Sequence, residues 1–183
     1  MQVNTEQSNT QRMLEHNQKK DRVVAGSLNR SLVNLATNNI DSRESTVLNV
    51  FEPAADFLNG AESDVDPQIL FKLKFIDKVD CCQISFARPS ATERENVSNA
   101  RIVKLFVNRN DLDFSDLESV PPAVEFELPF EYENEFAKFS LAGSKFTRVS
   151  SIQILVDDNF DTDFSRIGQI TIEGFKTPTY EYK

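Results

Sequence analysis

In the stretch from Ile69 to Phe75, Ile69, Phe71, Leu73 and Phe75 point one way, Lys72 and Lys74 the other. Side chains on a strand have a period of two, so this stretch is a half-buried strand with an apolar inner face. Before it comes a run of short acidic and polar residues, Ser63, Asp64 and Asp66, closed by Pro67. Proline fixes its own backbone angle and biases Asp66 toward an extended conformation, which places the start of the strand just after it.

The same signal recurs along the chain. Val79 to Phe86 is a second strand, ending at Pro89, and a polar loop from Ser90 to Asn99 leads to Arg101–Val107, which is apolar on both sides and therefore central. In Ala123–Leu128, Val124, Phe126 and Leu128 alternate with Glu125 and Glu127, a strand with one wet face. Phe136–Leu141, Phe146–Val149, Ser151–Asp157 and Ile167–Phe175 continue the series. About eight short strands separated by turn residues predict an all-β fold, an antiparallel β-sandwich or jelly roll. A parallel α/β fold needs helices between its strands, and no linker carries one. The one helix expected is short and N-terminal, capped by Ser27, with Leu28, Leu32 and Leu35 at helical spacing and Asn38-Asn39 at its end. Ile40 to Asn49 reads as an irregular connection.

At 183 residues the chain suits one domain. Residues 1–26 are expected to be a mobile tail, 27–178 the jelly roll and 179–183 a short C-terminal tail. Fifteen Phe against no Trp imply a core built from Phe with Ile, Leu and Val. A formal charge of −9 disfavours nucleic acid and anionic membrane as partners. No apolar run approaches the roughly 20 residues of a membrane helix, and no signal-peptide core opens the chain. Cys81 and Cys82 are adjacent, so they cannot staple distant segments; two reduced thiols are expected, in keeping with the cytoplasm or nucleus. A monomer is the favoured oligomeric state.

Catalytic groups are scarce. The single histidine, His16, lies in the expected tail, which removes most Ser-His and Cys-His nucleophiles and any His-based metal site. The adjacent cysteines lack the gap of a redox pair, and the five glycines are isolated rather than grouped in a phosphate loop. Asp157 to Asp163 invites a calcium reading, but the helix-loop-helix calcium loop requires Gly at its sixth position and Glu at its twelfth, where Thr162 and Gly168 stand. A looser calcium site of loop carboxylates stays open beside the plainer reading, a solvated acidic turn.

Four segments together resemble the PITH (proteasome-interacting thioredoxin) domain family. They are Ile40-Asp41 with Leu48-Asn49; Glu62-Ser63-Asp64-Val65-Asp66-Pro67-Gln68-Ile69-Leu70; Ile102 to Arg109 with Leu112-Asp113-Phe114; and Lys145-Phe146 and Val149 through Val156, Asn159, Ser165, Ile167 and Gly174. The match runs from about residue 27 to 178. The resemblance implies a jelly roll similar to galactose-binding-like domains and a non-catalytic role, docking on the proteasome regulatory particle. The chain departs from the family pattern: Val47 stands where a Cys is usual, Pro67 replaces an acidic residue, and no thioredoxin domain or Cys-x-x-Cys is present.

Two groups are candidates for a protein-binding surface. Ser63, Asp64, Asp66 and Gln68 form the first; a turn that caps backbone amides and starts the strand is the competing explanation. Asn108, Arg109, Asp113 and Phe114 form the second, with Arg109 as a hot spot, against an ordered turn with Phe114 buried. No catalytic residue, metal ligand or cofactor is assigned. The expected function is a protein-binding adaptor for the proteasome; the alternative is a jelly roll binding a small ligand or carbohydrate, assisted by calcium.

Overall fold

A computed structural model describes residues 31–53 and 56–177. The expected N-terminal tail, the cap at Ser27 with Leu28, and the expected C-terminal tail lie outside these residues. Among them the chain forms strands β1 (Val33–Asn34), β2 (Thr46–Leu48), β3 (Val50–Phe51), β4 (Ala61–Ser63), β5 (Ile69–Ala87) and β6 (Val97–Val107). Five more follow: β7 (Val124–Glu127), β8 (Phe136–Ser140), β9 (Val149–Asn159), β10 (Phe164–Ile167) and β11 (Ile170–Lys176). Two single-turn helices, α1 (Ala36–Asn39) and α2 (Phe114–Leu117), and two 3-10 turns, Phe57–Asn59 and Ser144–Phe146, complete the description.

The fold is organised by β5. Drawn straight, its 19 residues would reach about 60 Å at roughly 3.3 Å per residue. Pro67, just ahead of it, accepts a hydrogen bond from Ser165 Oγ at 2.5 Å, while Phe86 near its far end pairs with Ile170. Ser165 and Ile170 are separated by at most about 18 Å of chain, so β5 folds back on itself. The bend lies between Lys74 and Val79, where the register against β9 shifts and Ile76, Asp77 and Lys78 are exposed. The two strands expected at Ile69–Phe75 and Val79–Phe86 are therefore the two arms of one bent strand.

Each arm serves a different part of the sheet. The first lies between β2 and β9; β9 continues to β6, and β6 to β7, all antiparallel. The second pairs with β11, which carries β1, and with β8. The start of β6 pairs in parallel with β10, which pairs with β4 and through it with β3. The sheet curls, and its inner face closes on Phe71, Leu73, Phe86, Val103, Leu105, Ile152, Ile154 and Ile172, all 0 % exposed. As the pattern of Arg101–Val107 implied, β6 is central, and both its faces are covered. Phe106 belongs to a second cluster with Leu70, Leu112, Leu117 and Leu155, on the outer face beneath the segment that carries α2.

Four local expectations change. Val33 pairs with Gly174 as a strand, so helical structure begins only at Ala36; Leu35 enters the core while Leu32 is 48 % exposed. Within the connection read as irregular, β2 adds to the edge of β5. Ser144–Phe146 is a 3-10 turn rather than part of a strand, with Phe146 buried. The strand expected at Ile167–Phe175 is two, β10 and β11, split at Gly168-Gln169, where the backbone runs so close to the Ala87 carbonyl oxygen that Gly168 leaves no room for a Cβ.

Candidate protein-binding site

The acidic turn before β5 is held by a residue outside it. Asn49 sits in the left-handed region at φ 58, a conformation that asparagine tolerates better than most residues. Its Nδ2 donates to Asp66 Oδ1 at 2.8 Å and to the Gln68 carbonyl at 2.5 Å, and its Oδ1 accepts from the Val65 amide at 3.0 Å. Asp66 Oδ1 also accepts from the Gln68 amide at 2.9 Å, an Asx turn. Ser63 is fully buried, and its hydroxyl oxygen accepts from the Ser165 amide at 2.9 Å. Gln68 Nε2 donates to Asp157 Oδ1 at 2.9 Å.

Three of the four residues in this group, Ser63, Asp66 and Gln68, thus shape the turn, as the capping explanation holds. Asp64 is different: it is exposed, and its carboxylate has no hydrogen-bond partner among the described residues. Beside it Val65 is 78 % exposed. From below, the Arg94 guanidinium donates to the carbonyls of Ser63 and Asp64. It lies between the rings of Phe51 and Phe164, 4.3 and 3.8 Å from their centroids.

The second group is spread along the segment that crosses the outer face. Asn108, at φ 56, accepts from the Ser150 amide at 2.8 Å and closes the turn after β6. Arg109 grips its neighbour Asp111 through Nε at 2.9 Å and Nη2 at 3.0 Å. That hydrogen bonding holds the Asp111 carboxyl down at about 2. Asp113 caps α2 and accepts from Lys72 Nζ at 3.0 Å. Phe114 is half-buried against the second cluster with Leu48, the arrangement of an ordered turn.

The two groups border one face of the first arm of β5, because Gln68, Leu70 and Lys72 alternate onto the same side. Asp113 and Phe114 meet that face; Arg109 faces its own neighbour and does not join it.

The run from Asp157 to Asp163 is dispersed rather than converging. Lys104 Nζ bridges Asp157 Oδ2 at 2.7 Å and Glu125 Oε2 at 3.9 Å, and the hydrogen bond it donates to Asp157 raises its pKa. Arg101 holds Asp158 at 2.5 Å, and Asn159 Nδ2 turns inward to the carbonyls of Thr162 and Phe164. Among the described residues no group of three His, Cys, Asp or Glu is placed to hold a metal ion. Sequence reasoning named Asn49 and Val65 only within the segments that carry the resemblance, not as site residues, and did not name Arg94. Asn49 had a local signal, an asparagine between two short apolar runs; the partners of Arg94 lie about 30 residues upstream and leave no local trace.

Comparison with known proteins agrees with this architecture. A family model, that of the PITH domain, matches residues 27–181. PITH domain-containing protein ZK353.9 of Caenorhabditis elegans is 28% identical over 142 residues, covering 78% of this chain and 65% of that protein. PITH domain-containing protein CG6153 of Drosophila melanogaster is 26% identical over 134 residues, covering 73% of this chain and 60% of that protein. The chain therefore matches less than two thirds of the length of either relative. Among solved structures, the F5/8 type C domain of a Bacteroides fragilis protein superposes at TM-score 0.53 with 10% identity, covering 80% of this chain and 97% of that one. A family 32 carbohydrate-binding module of Clostridium perfringens NanJ, solved with galactose, gives 0.52 with 9% identity, covering 78% and 99%. At such identities the likeness is one of fold, a galactose-binding-like jelly roll. With a fold of this kind and a family match over most of its length, the chain belongs to the PITH domain family.

Proposed function

We propose that the chain is a non-catalytic adaptor of the cytoplasm or nucleus that docks on the proteasome regulatory particle. The observation that carries this reading is the pair Asp64 and Val65. An exposed apolar side chain stands beside an unpartnered carboxylate at the tip of a turn whose Ser63 hydroxyl, Asp66 Oδ1 and Gln68 amide are engaged within the fold. A tip fixed in advance loses little entropy on docking, and few residues supply most of the energy of an interface. Arg109, spent on Asp111, is a lesser contributor, and Asp66 acts by shaping the turn.

Affinity purification from native lysate, with the full chain as bait, tests the reading. Wild type should bring down regulatory-particle subunits, Asp64→Ala/Val65→Ala should lose them while keeping its melting temperature, and Arg109→Ala should retain them. Absence of those subunits with wild-type bait under gentle conditions would remove the partner.

A further inference from the structure

An open groove of about 790 Å³ lies between the loop after β5 and the β4–β10 edge, and Arg88, Arg94 and Arg166 line it with Phe51 and Glu62. Its volume falls in the range of small-ligand sites. Most arginines elsewhere in the described residues are neutralised: Arg43, Arg101 and Arg109 each pair with an aspartate. The three at the groove do not. Arg88 Nη2 donates to the Tyr132 carbonyl at 2.7 Å. Arg166 donates through Nε to Asn99 Oδ1 at 2.8 Å and through Nη1 to the Ser90 carbonyl at 3.1 Å. Arg94 is fixed by the carbonyls of Ser63 and Asp64 and by two aromatic rings.

Neutral acceptors orient a guanidinium without cancelling its charge. Each guanidinium carries five N–H donors, so Arg88 and Arg166 keep several free. In a chain of net charge −9, three arginines that form no ion pair among the described residues line one groove. Glu62 is the cross-strand neighbour of Arg166, yet Arg166 turns away to Asn99 and Ser90. Glu52, Glu62 and Glu93 also line the groove. A free polyanion would be repelled by them, whereas a peptide can offer a carboxylate to the arginines and amide N–H groups to the glutamates.

We infer that this groove binds a carboxylate-bearing segment of a protein partner, with Arg88 and Arg166 as its contacts and Arg94 as the residue that joins the groove to the Ser63–Asp64 turn. That the occupant is a peptide rests on the adaptor reading. The carboxylate is a C-terminal one or an acidic side chain.

Fluorescence anisotropy on the full chain at low salt tests this with three labelled hexapeptides. The first alternates serine and glutamate with a free C-terminus, the second is the same peptide amidated, and the third is its amidated glutamine counterpart. The glutamate peptide with a free C-terminus should bind saturably and the amidated glutamine peptide should not. Loss on amidation alone assigns a terminal carboxylate, and retention assigns side chains. Arg88→Gln/Arg166→Gln should weaken binding about tenfold or more, and Arg148→Gln, away from the groove, should leave it unchanged. Arg88 is exposed, so Arg88→Gln alone gives the same direction should the double variant melt early. Equal binding of the glutamine peptide, wild-type affinity in folded arginine variants, or no saturable binding below millimolar peptide would each overturn the assignment. Peptide failure with a successful lysate purification discards the groove and keeps the adaptor; the reverse pattern discards the proteasome and keeps the groove.

Discussion

Asn49 and Asp66 are joined side chain to side chain at 2.8 Å, and that contact ties the edge of the sheet at β2 and β3 to the turn that launches β5. It explains two features at once. The left-handed backbone at Asn49 is what aims its amide at the turn, and the turn in turn presents Asp64 and Val65 rather than burying them.

Asn49→Ala should therefore act on both stability and presentation. It removes the acceptor of the Val65 amide and the donor to the Gln68 carbonyl, and it places alanine at a positive φ. Unsatisfied groups and left-handed strain together amount to about 2–4 kcal/mol. Asn49→Gly, which relieves the strain alone, should recover roughly 1 kcal/mol of that. Urea denaturation measures both, and a loss under about 0.5 kcal/mol for Asn49→Ala would mean the turn holds without its anchor.

Gly174 occupies the point where the β11–β5 register shifts, and a Cβ built there would stand 2.0 Å from the Asp80 carbonyl oxygen. Because that atom is backbone, the strands would have to part, and Gly174→Ala should cost roughly 3 kcal/mol or more. Gly143→Ala is the contrast: nothing lies within 4 Å of its Cβ, and only the strain of φ 101 remains. Thermal melts should rank Gly174→Ala well below Gly143→Ala; the reverse order would mean the close approach at Asp80 relaxes cheaply.

The sequence was most informative where one period governed one face. Ile69 to Phe75 and Val124 to Leu128 alternate because one side of each strand meets the core, and their burial follows the pattern. The bend in β5 was not legible, since Ile76-Asp77-Lys78 reads locally as a turn, and only the shared neighbours of Pro67 and Phe86 reveal that the ladder continues through it. The outer-face cluster was hidden for a related reason. Leu70 and Leu155 occupy positions that alternation assigns to solvent, and what covers them arrives from Leu112 and Leu117. At the candidate site, residue types marked the turn at Ser63 to Gln68. They could not divide the residues that hold it from those that face outward, because the partners at Asn49, Asp157 and Ser165 are distant in sequence.

Alkaline pH should destabilise the protein through Cys81. The thiol is 3 % exposed, and burial, with smaller contributions from Cys82 and Asp80, pushes its pKa up from 9.0 to about 12. Above pH 9 the unfolded chain loses this proton while the folded chain keeps it. The folded state then binds more protons, and stability falls as pH rises, by at most about 1.4 kcal/mol per pH unit between 9 and 12. Burial also raises Tyr132 to about 12, which adds a loss of the same sign above its ordinary value of 10.0. Urea midpoints at pH 8 and 10.5 should separate, and Cys81→Ala should shrink the separation. An unchanged pH dependence in Cys81→Ala would assign the effect elsewhere.

The segment from Asn108 to Val120 should be held down by its leucines rather than by its ion pair. Leu112 is 2 % exposed among Leu70, Phe106, Leu117 and Leu155, and its carbonyl accepts from the buried Gln153 Nε2 at 2.8 Å. Truncating it removes about 2–5 kcal/mol of packing. The Lys72–Asp113 bridge is solvated, with the Asp113 side chain 70% exposed, so its own contribution is under about 1 kcal/mol. Removing Asp113 also removes the cap of α2, which adds about 1 kcal/mol and acts locally. Hydrogen exchange distinguishes the two. Leu112→Ala should speed exchange across residues 108–120 and at Leu48, leaving the β5–β11 ladder protected, whereas Asp113→Ala should affect only α2. If Asp113→Ala released the whole segment, electrostatics rather than apolar burial would be what fixes Phe114 against the outer face.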